Sequence, residues 1–184
     1  MSNRRITVVI LCEDSQQSAF ASRFLEKIGW DGNIRISKSP KADGSAEQWV
    51  RIKFPEELKW YRQRTSKAAT ALLAITDADV KSVQDRIDDF ESECNSNDIE
   101  FRNVDEAVAI AIPARNIETW ISYLNGVEVD EVTAYPTLDR PRECKNAVER
   151  LVKFCRTASM PRTAPASLML ACAEYNSRLK PMIQ

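Results

Sequence analysis

A chain of 184 residues with 43% hydrophobic and 29% charged side chains has the composition of one globular domain with elaborations, and four Gly with eight Pro exclude collagenous, glycine-linker and low-complexity chains. Histidine is absent, which removes Ser-His-Asp triads, Cys-His dyads and every His-containing zinc site, and leaves acid–base chemistry to carboxylates, Lys, Tyr, Cys or bound water. The formal net charge of −1 conceals a basic 31–75 with nine bases and five acids, an acidic 76–106 with three and eleven, and a basic 139–184 with nine and four. Such a division suits cations held among carboxylates with basic walls for a polyanion; for 76–106 a solvated helix face explains it as well.

In chain order, Ile6–Cys12 (ITVVILC) reads as a buried strand and is far too short to cross a bilayer. Phe20, Phe24 and Ile28 then recur at helical spacing. Between Trp30 and Lys67, Ile34-Arg-Ile and Trp49-Val-Arg-Ile-Lys-Phe alternate with period two around a loop holding Asp43-Gly44. This predicts a hairpin or two edge strands, with Trp49, Arg51 and Lys53 outward, Val50, Ile52 and Phe54 inward, and a helix starting at Pro55. Ala71–Thr76 (ALLAIT) and Ala107–Ile112 (AVAIAI) are further buried strands; Val80, Val83, Ile87 and Phe90 follow the first as a helix, and Ile117, Trp120, Ile121 and Leu124 the second. After Pro136 and Pro141 come two helices, around Glu143–Cys155 and Ala166–Leu179. Strand then helix, three times, predicts an α/β fold with a largely parallel, Rossmann-like sheet: residues 1–125 as the main domain with an inserted basic β-hairpin over 31–67, and 126–184 as a helical extension packed on it. The five cysteines, odd in number and without C-x-x-C spacing, fit a reducing compartment, so the expectation is a cytoplasmic protein with no membrane association.

Functional groups of open α/β sheets collect at the carboxyl ends of the strands. There the first strand ends at Glu13-Asp14, the second at Asp77-Ala78-Asp79, and the third runs through Pro113 to Arg115-Asn116-Ile117-Glu118. Carboxylates gathered at one edge repel, and hard oxygen ligands select Mg²⁺ or Mn²⁺. Asp77 as a helix cap and an Arg115–Glu118 ion pair are the structural alternatives. Arg51, Lys53, Arg62 and Arg64, interleaved with Trp49, Trp60 and Tyr61, are the candidate nucleic-acid face, with Arg115 as a bidentate phosphate ligand. Cys12, among acids, reads as core rather than nucleophile.

In this order of parts the chain resembles the TOPRIM family, the topoisomerase–primase domain found also in OLD-type nucleases. The match lies in Glu13 of VVILCEDS, in Asp77 and Asp79 of LLAITDAD, and in the segment IPARNIETW, similar to one in small stand-alone TOPRIM-like proteins encoded beside ATPases in bacterial defence loci. The resemblance covers about residues 5–125. It implies a Mg²⁺-dependent (or Mn²⁺-dependent) nuclease acting on DNA or RNA in antiviral defence with an ATPase partner, with Glu13, Asp77 and Asp79 as metal ligands and these three with Glu118 as the catalytic set. Asp14 where the family often has Gly, and Gln16 or Gln17 where OLD-type members carry an acid, leave a non-catalytic subunit that binds an ATPase or nucleic acid as the alternative. A phosphoacceptor receiver domain fits less well, because the interval from Glu13 to Asp77 is too long and no Lys-Pro follows a final strand.

Overall fold

The computed structural model describes residues 6–40 and 45–183. Four strands, β1 (Ile6–Cys12), β2 (Gly32–Lys38), β3 (Thr70–Ile75) and β4 (Val108–Ala111), form one parallel sheet in the order β2-β1-β3-β4. The predicted α/β class and its three buried strands are therefore present. β1, β3 and β4 are apolar on both faces because both are covered, whereas the edge strand β2 (GNIRISK) is polar and half exposed. Val8, Ile10, Cys12, Leu73, Ile75 and Ala109 face one side, where they pack with α1 (Ser15–Ile28), α4 (Ile117–Leu124), α5 (Lys145–Thr157) and α6 (Ala166–Glu174). The alternate residues Val9, Leu11, Leu72, Ala74, Val108 and Ile110 meet α2 (Ala46–Thr65) and α3 (Val83–Ser96) on the other. Burying a large apolar side chain such as Phe20, Phe90 or Ile117 contributes about 1.5–3 kcal/mol. The two-sided core thus fixes where every strand ends.

Of the hairpin or two edge strands predicted over 31–67, the hairpin and the second strand are not formed, and one edge strand, β2, is. Ile34 and Ile36 belong to β2, which pairs in parallel with β1 from Ile6↔Gly32 to Cys12↔Lys38. Residues 49–54 lie inside helix α2. The period-two alternation of Trp49–Phe54 was coincidental with a helical one: Val50, Phe54 and Leu58 step by four and are fully buried, while Ile52, expected inward, is 53% exposed. Ser45 caps α2 by accepting from the Gln48 amide, and Pro55 stands inside the helix rather than at its start. An interior Pro costs about 3 kcal/mol; the buried Val50, Phe54 and Leu58 offset it. The loop at Asp43-Gly44 lies outside the described residues. Val80 is also displaced from its expected place: it is 90% exposed and precedes α3, which begins at Val83 behind a Ser82–Asp85 capping box.

The C-terminal helices form as expected and cover the α1 face of the sheet, with Cys155 and Cys172 joined in a disulfide between α5 and α6 that the cysteine spacing did not suggest. The free edge of β4 is closed by side chains. Arg102 donates to the Val108 carbonyl (2.9 Å), the Glu174 carboxylate accepts from the Ile110 amide (3.0 Å), and the two side chains form an ion pair with each other. Among the described residues no helix is long and apolar enough to cross a membrane.

Candidate functional site

The strand order reverses between β1 and β3: the chain leaves β1 toward β2 on one side and returns to β3 on the other. Such a reversal opens a crevice at the carboxyl ends of the two central strands. Register decides what lies there. Cys12 pairs with Ile75, so the next residues, Glu13 and Thr76, are neighbours, and Asp77 follows.

Glu13 is anchored by this adjacency. One carboxylate oxygen, Oε1, accepts from the Thr76 hydroxyl (2.5 Å), the Asp77 amide (2.6 Å) and the Gln17 side-chain amide (3.4 Å). Gln17 is fully buried, and its own Oε1 accepts from the Glu13 amide (2.9 Å), while its side chain also reaches the Asp77 carboxyl. Asp14 is the cap of α1, its Oδ1 accepting from the Gln17 amide (2.8 Å). One turn of α1 therefore ties the end of β1 to the end of β3.

The electrostatics are those of crowded carboxylates. Burial, then the nearby Glu13 and Glu118, push the Asp77 carboxyl from 3.8 up to about 9, and its buried Oδ1 has no hydrogen-bond partner among the described residues. Glu13 is raised as well, by burial against the opposing pull of Thr76, Asp77 and Gln17. Glu118, in the first turn of α4 and 6% exposed, is raised by burial and by Asp14, and hydrogen-bonds the side chain of Thr137. The Cys12 thiol is pushed up to about 12 by burial and Asp14, which leaves it an inert core group as expected.

Of the sequence-derived residues, Glu13, Asp77 and Glu118 share this neighbourhood. Asp79 stands apart in its contacts. Its backbone is left-handed at φ 56°, its side chain is 54% exposed, and its carboxylate turns to Arg86 (3.4 Å). Asp77 is not a helix cap, since Ser82 fills that role. The Arg115–Glu118 ion pair is not formed, and among the described residues Arg115 has no carboxylate within ion-pair distance.

The expected nucleic-acid face is not assembled at this edge. Arg51 is held by Glu47 (3.4 Å) and Glu93 (2.6 Å), and Lys53 by Glu56 (2.5 Å). Arg62 is forked on Glu106 (2.7 and 3.1 Å) and on the carbonyls of Glu100 and Phe101, while Arg64 lies over the Trp60 ring. The end of α2 that carries Arg62 and Arg64 sits at the amino ends of the strands, where Tyr61 accepts from the Ala107 amide and Arg64 shares a hollow with Thr7 and Thr70. Arg62 and Arg64 therefore occupy the sheet edge opposite Glu13, while Arg51 and Lys53 are neutralised along α2 by their ion pairs.

Sequence reasoning missed Gln17, Thr76 and Lys38. Gln17 was weighed only as a missing acid, Thr76 only as the end of a strand, and Lys38 stood in a segment read as a hairpin. The β1–β3 register exposes the roles of Gln17 and Thr76, and the β1–β2 register sets Lys38 beside Cys12.

A divalent cation fits the donor set in part. Among the described residues, no three Asp, Glu or Cys side chains converge as a ready-made metal cage, so the trio Glu13, Asp77 and Asp79 is not assembled as such. Mg²⁺, however, is commonly bound through one or two carboxylates, its remaining positions filled by water and substrate phosphates. Glu13 and Asp77, with the partnerless Asp77 Oδ1 beside them, supply such a pair. In comparisons with protein-family models, curated proteins and solved structures, nothing matches this chain.

Proposed function

We propose that this chain is a Mg²⁺-dependent (or Mn²⁺-dependent) TOPRIM-like nuclease that cleaves phosphodiester bonds of DNA or RNA, serving antiviral defence with an ATPase partner. The observation that carries the reading is the Glu13–Asp77 pair at the reversal of the strand order: two adjoining carboxyl groups, both raised, one with a buried oxygen that has no hydrogen-bond partner among the described residues. Two carboxyl groups buried side by side form no ion pair with each other, whereas a bound cation would compensate the charge that their ionisation creates. The defence setting and the ATPase rest on the resemblance of IPARNIETW and the strand-end acids alone.

In this reading Glu13 and Asp77 would hold the ion, which when bound would supply charge neutralisation of a phosphate and polarisation of the scissile bond. Gln17 and Thr76 keep the Glu13 carboxylate at the crevice floor. Glu118, whose carboxyl is raised by burial and by Asp14, is placed to give or take a proton. Asp79 acts on the pair only through its charge, which raises Glu13 further.

A second reading, a non-catalytic TOPRIM-like subunit binding an ATPase or nucleic acid, is favoured by one feature: the amide of Gln17 already occupies both carboxyl groups. The test is cleavage of labelled single-stranded DNA and RNA in Mg²⁺, with chelator and with Glu13→Gln and Asp77→Asn. Metal stabilisation worth several kcal/mol, at about 1.4 kcal/mol per tenfold, makes each variant slower by orders of magnitude. Cleavage that persists in excess chelator, or unchanged in both variants, contradicts the nuclease reading.

A further inference from the structure

Following the strand order β2-β1-β3-β4 along the carboxyl edge, the residues at or just beyond each strand end are Lys38, then Glu13 with Asp14, then Asp77 with Asp79, then Arg115. The row reads positive, negative, negative, positive. The two outer cations differ from the other bases considered above. Lys38 donates to the hydroxyl of Ser15 (2.8 Å), which draws its ammonium toward the end of β1, and among the described residues neither Lys38 nor Arg115 is paired with a carboxylate. By contrast Lys81, Arg86, Arg51, Lys53 and Arg62 are each neutralised by an acid.

Neighbouring strands lie about 4.8 Å apart, so three steps separate the outer strand ends by roughly 14 Å. A stacked polynucleotide strand places one phosphate per about 3.4 Å of axis, so this distance holds about four phosphates, and fewer when the strand is extended. The acid pair sits at the middle of that run.

We infer that Lys38 and Arg115 are phosphate-contacting residues for a single polynucleotide strand that crosses the sheet edge perpendicular to the β-strands, one contact on each side of the Glu13–Asp77 pair. This rests on the nuclease reading and names its substrate class, a single strand or a frayed end. A duplex would need a second row of free cations for its other strand, and the bases of α2 are ion-paired or lie at the opposite edge. The flanking cations also explain how a polyanion approaches an acidic crevice: outer phosphates are attracted while the central one meets the cation-binding pair.

The test is fluorescence anisotropy of 12-nucleotide labelled oligo-dT and oligo-U with the full chain, in Ca²⁺ and at several salt concentrations, together with KM and kcat for cleavage in Mg²⁺. Lys38→Gln and Arg115→Gln are expected to weaken binding about five- to tenfold each, to raise KM more than they lower kcat, and to reduce the slope of log K against log salt by about 0.7 each. Lys38→Arg should restore binding, which a folding defect would not allow. Arg64→Gln, at the opposite edge, should match wild type. The relative affinity for the two oligonucleotides distinguishes DNA from RNA. Wild-type affinity and KM in both Lys38→Gln and Arg115→Gln, or a loss confined to Arg64→Gln, overturns the proposed path while leaving cleavage by the acid pair standing. A wild-type chain that neither binds nor cleaves either strand overturns both.

Discussion

Replacing Asp77 by Asn isolates the electrostatic cost of the acid pair. Burial and the facing Glu13 and Glu118 hold the Asp77 carboxyl neutral up to about 9, against an ordinary 3.8. The folded chain therefore keeps a proton that the unfolded chain releases, so this group's contribution to stability is greatest below about pH 4 and is lost as pH rises toward about 9. At 1.36 kcal/mol per unit, the part of the shift lying between 3.8 and pH 7.5 is worth about 5 kcal/mol. Relaxation and a higher effective dielectric reduce this to about 2–3 kcal/mol. Asn is nearly isosteric, carries no charge at any pH, and can offer its amide to Glu13. In urea unfolding with chelator present, Asp77→Asn is therefore expected to be more stable than wild type by about 2–3 kcal/mol at pH 7.5, a midpoint shift of roughly 1 M, with the gap closing near pH 4. A gap of equal size at both pH values, or a less stable variant at pH 7.5, refutes the reasoning.

Gln17→Leu leaves the Glu13 amide without its acceptor and removes a donor from both carboxyl groups, so a loss of about 1–3 kcal/mol in urea unfolding is expected. Gly32→Ala would drive its new Cβ into the Ile6 carbonyl at the first β1–β2 pair, where backbone rather than a flexible side chain must yield; a loss above about 2 kcal/mol, seen as a lower thermal midpoint, is expected. Arg102→Ala removes one partner of Glu174, which keeps Arg178 and the Ile110 amide, and leaves the Val108 carbonyl without its side-chain donor, with an expected loss of about 1–3 kcal/mol by the same measurement.

What could be read from the sequence follows from where the physics is local. Continuous apolar runs such as ALLAIT announce strands covered on both faces, and Phe20, Phe24 and Ile28 announce a helix, because burial alone sets those patterns. Residues 49–54 failed for a physical reason: over six residues the alternation of Trp49 to Phe54 satisfies both periods, and only Leu58, one turn further on, separates them. The strand-end acids were legible because sheet topology places them. Which acids meet was not, since Glu13 reaches Thr76 and Asp77 through the Cys12↔Ile75 register, and Asp79 is turned away by a left-handed backbone and by Arg86. The basic segment misled because charge composition does not show that Arg51 and Arg62 meet Glu93 and Glu106 from distant parts of the chain.

Whether Glu13 and Asp77 together hold a divalent cation is measured without a substrate by Mn²⁺ binding followed by electron paramagnetic resonance. One Mn²⁺ per chain is expected, displaced by Mg²⁺, with binding lost in Glu13→Gln and in Asp77→Asn and retained in Asp79→Asn, whose carboxylate faces Arg86. Absence of Mn²⁺ binding in the wild-type chain, or binding undiminished in both the Glu13 and the Asp77 variants, would contradict a cation held by this pair.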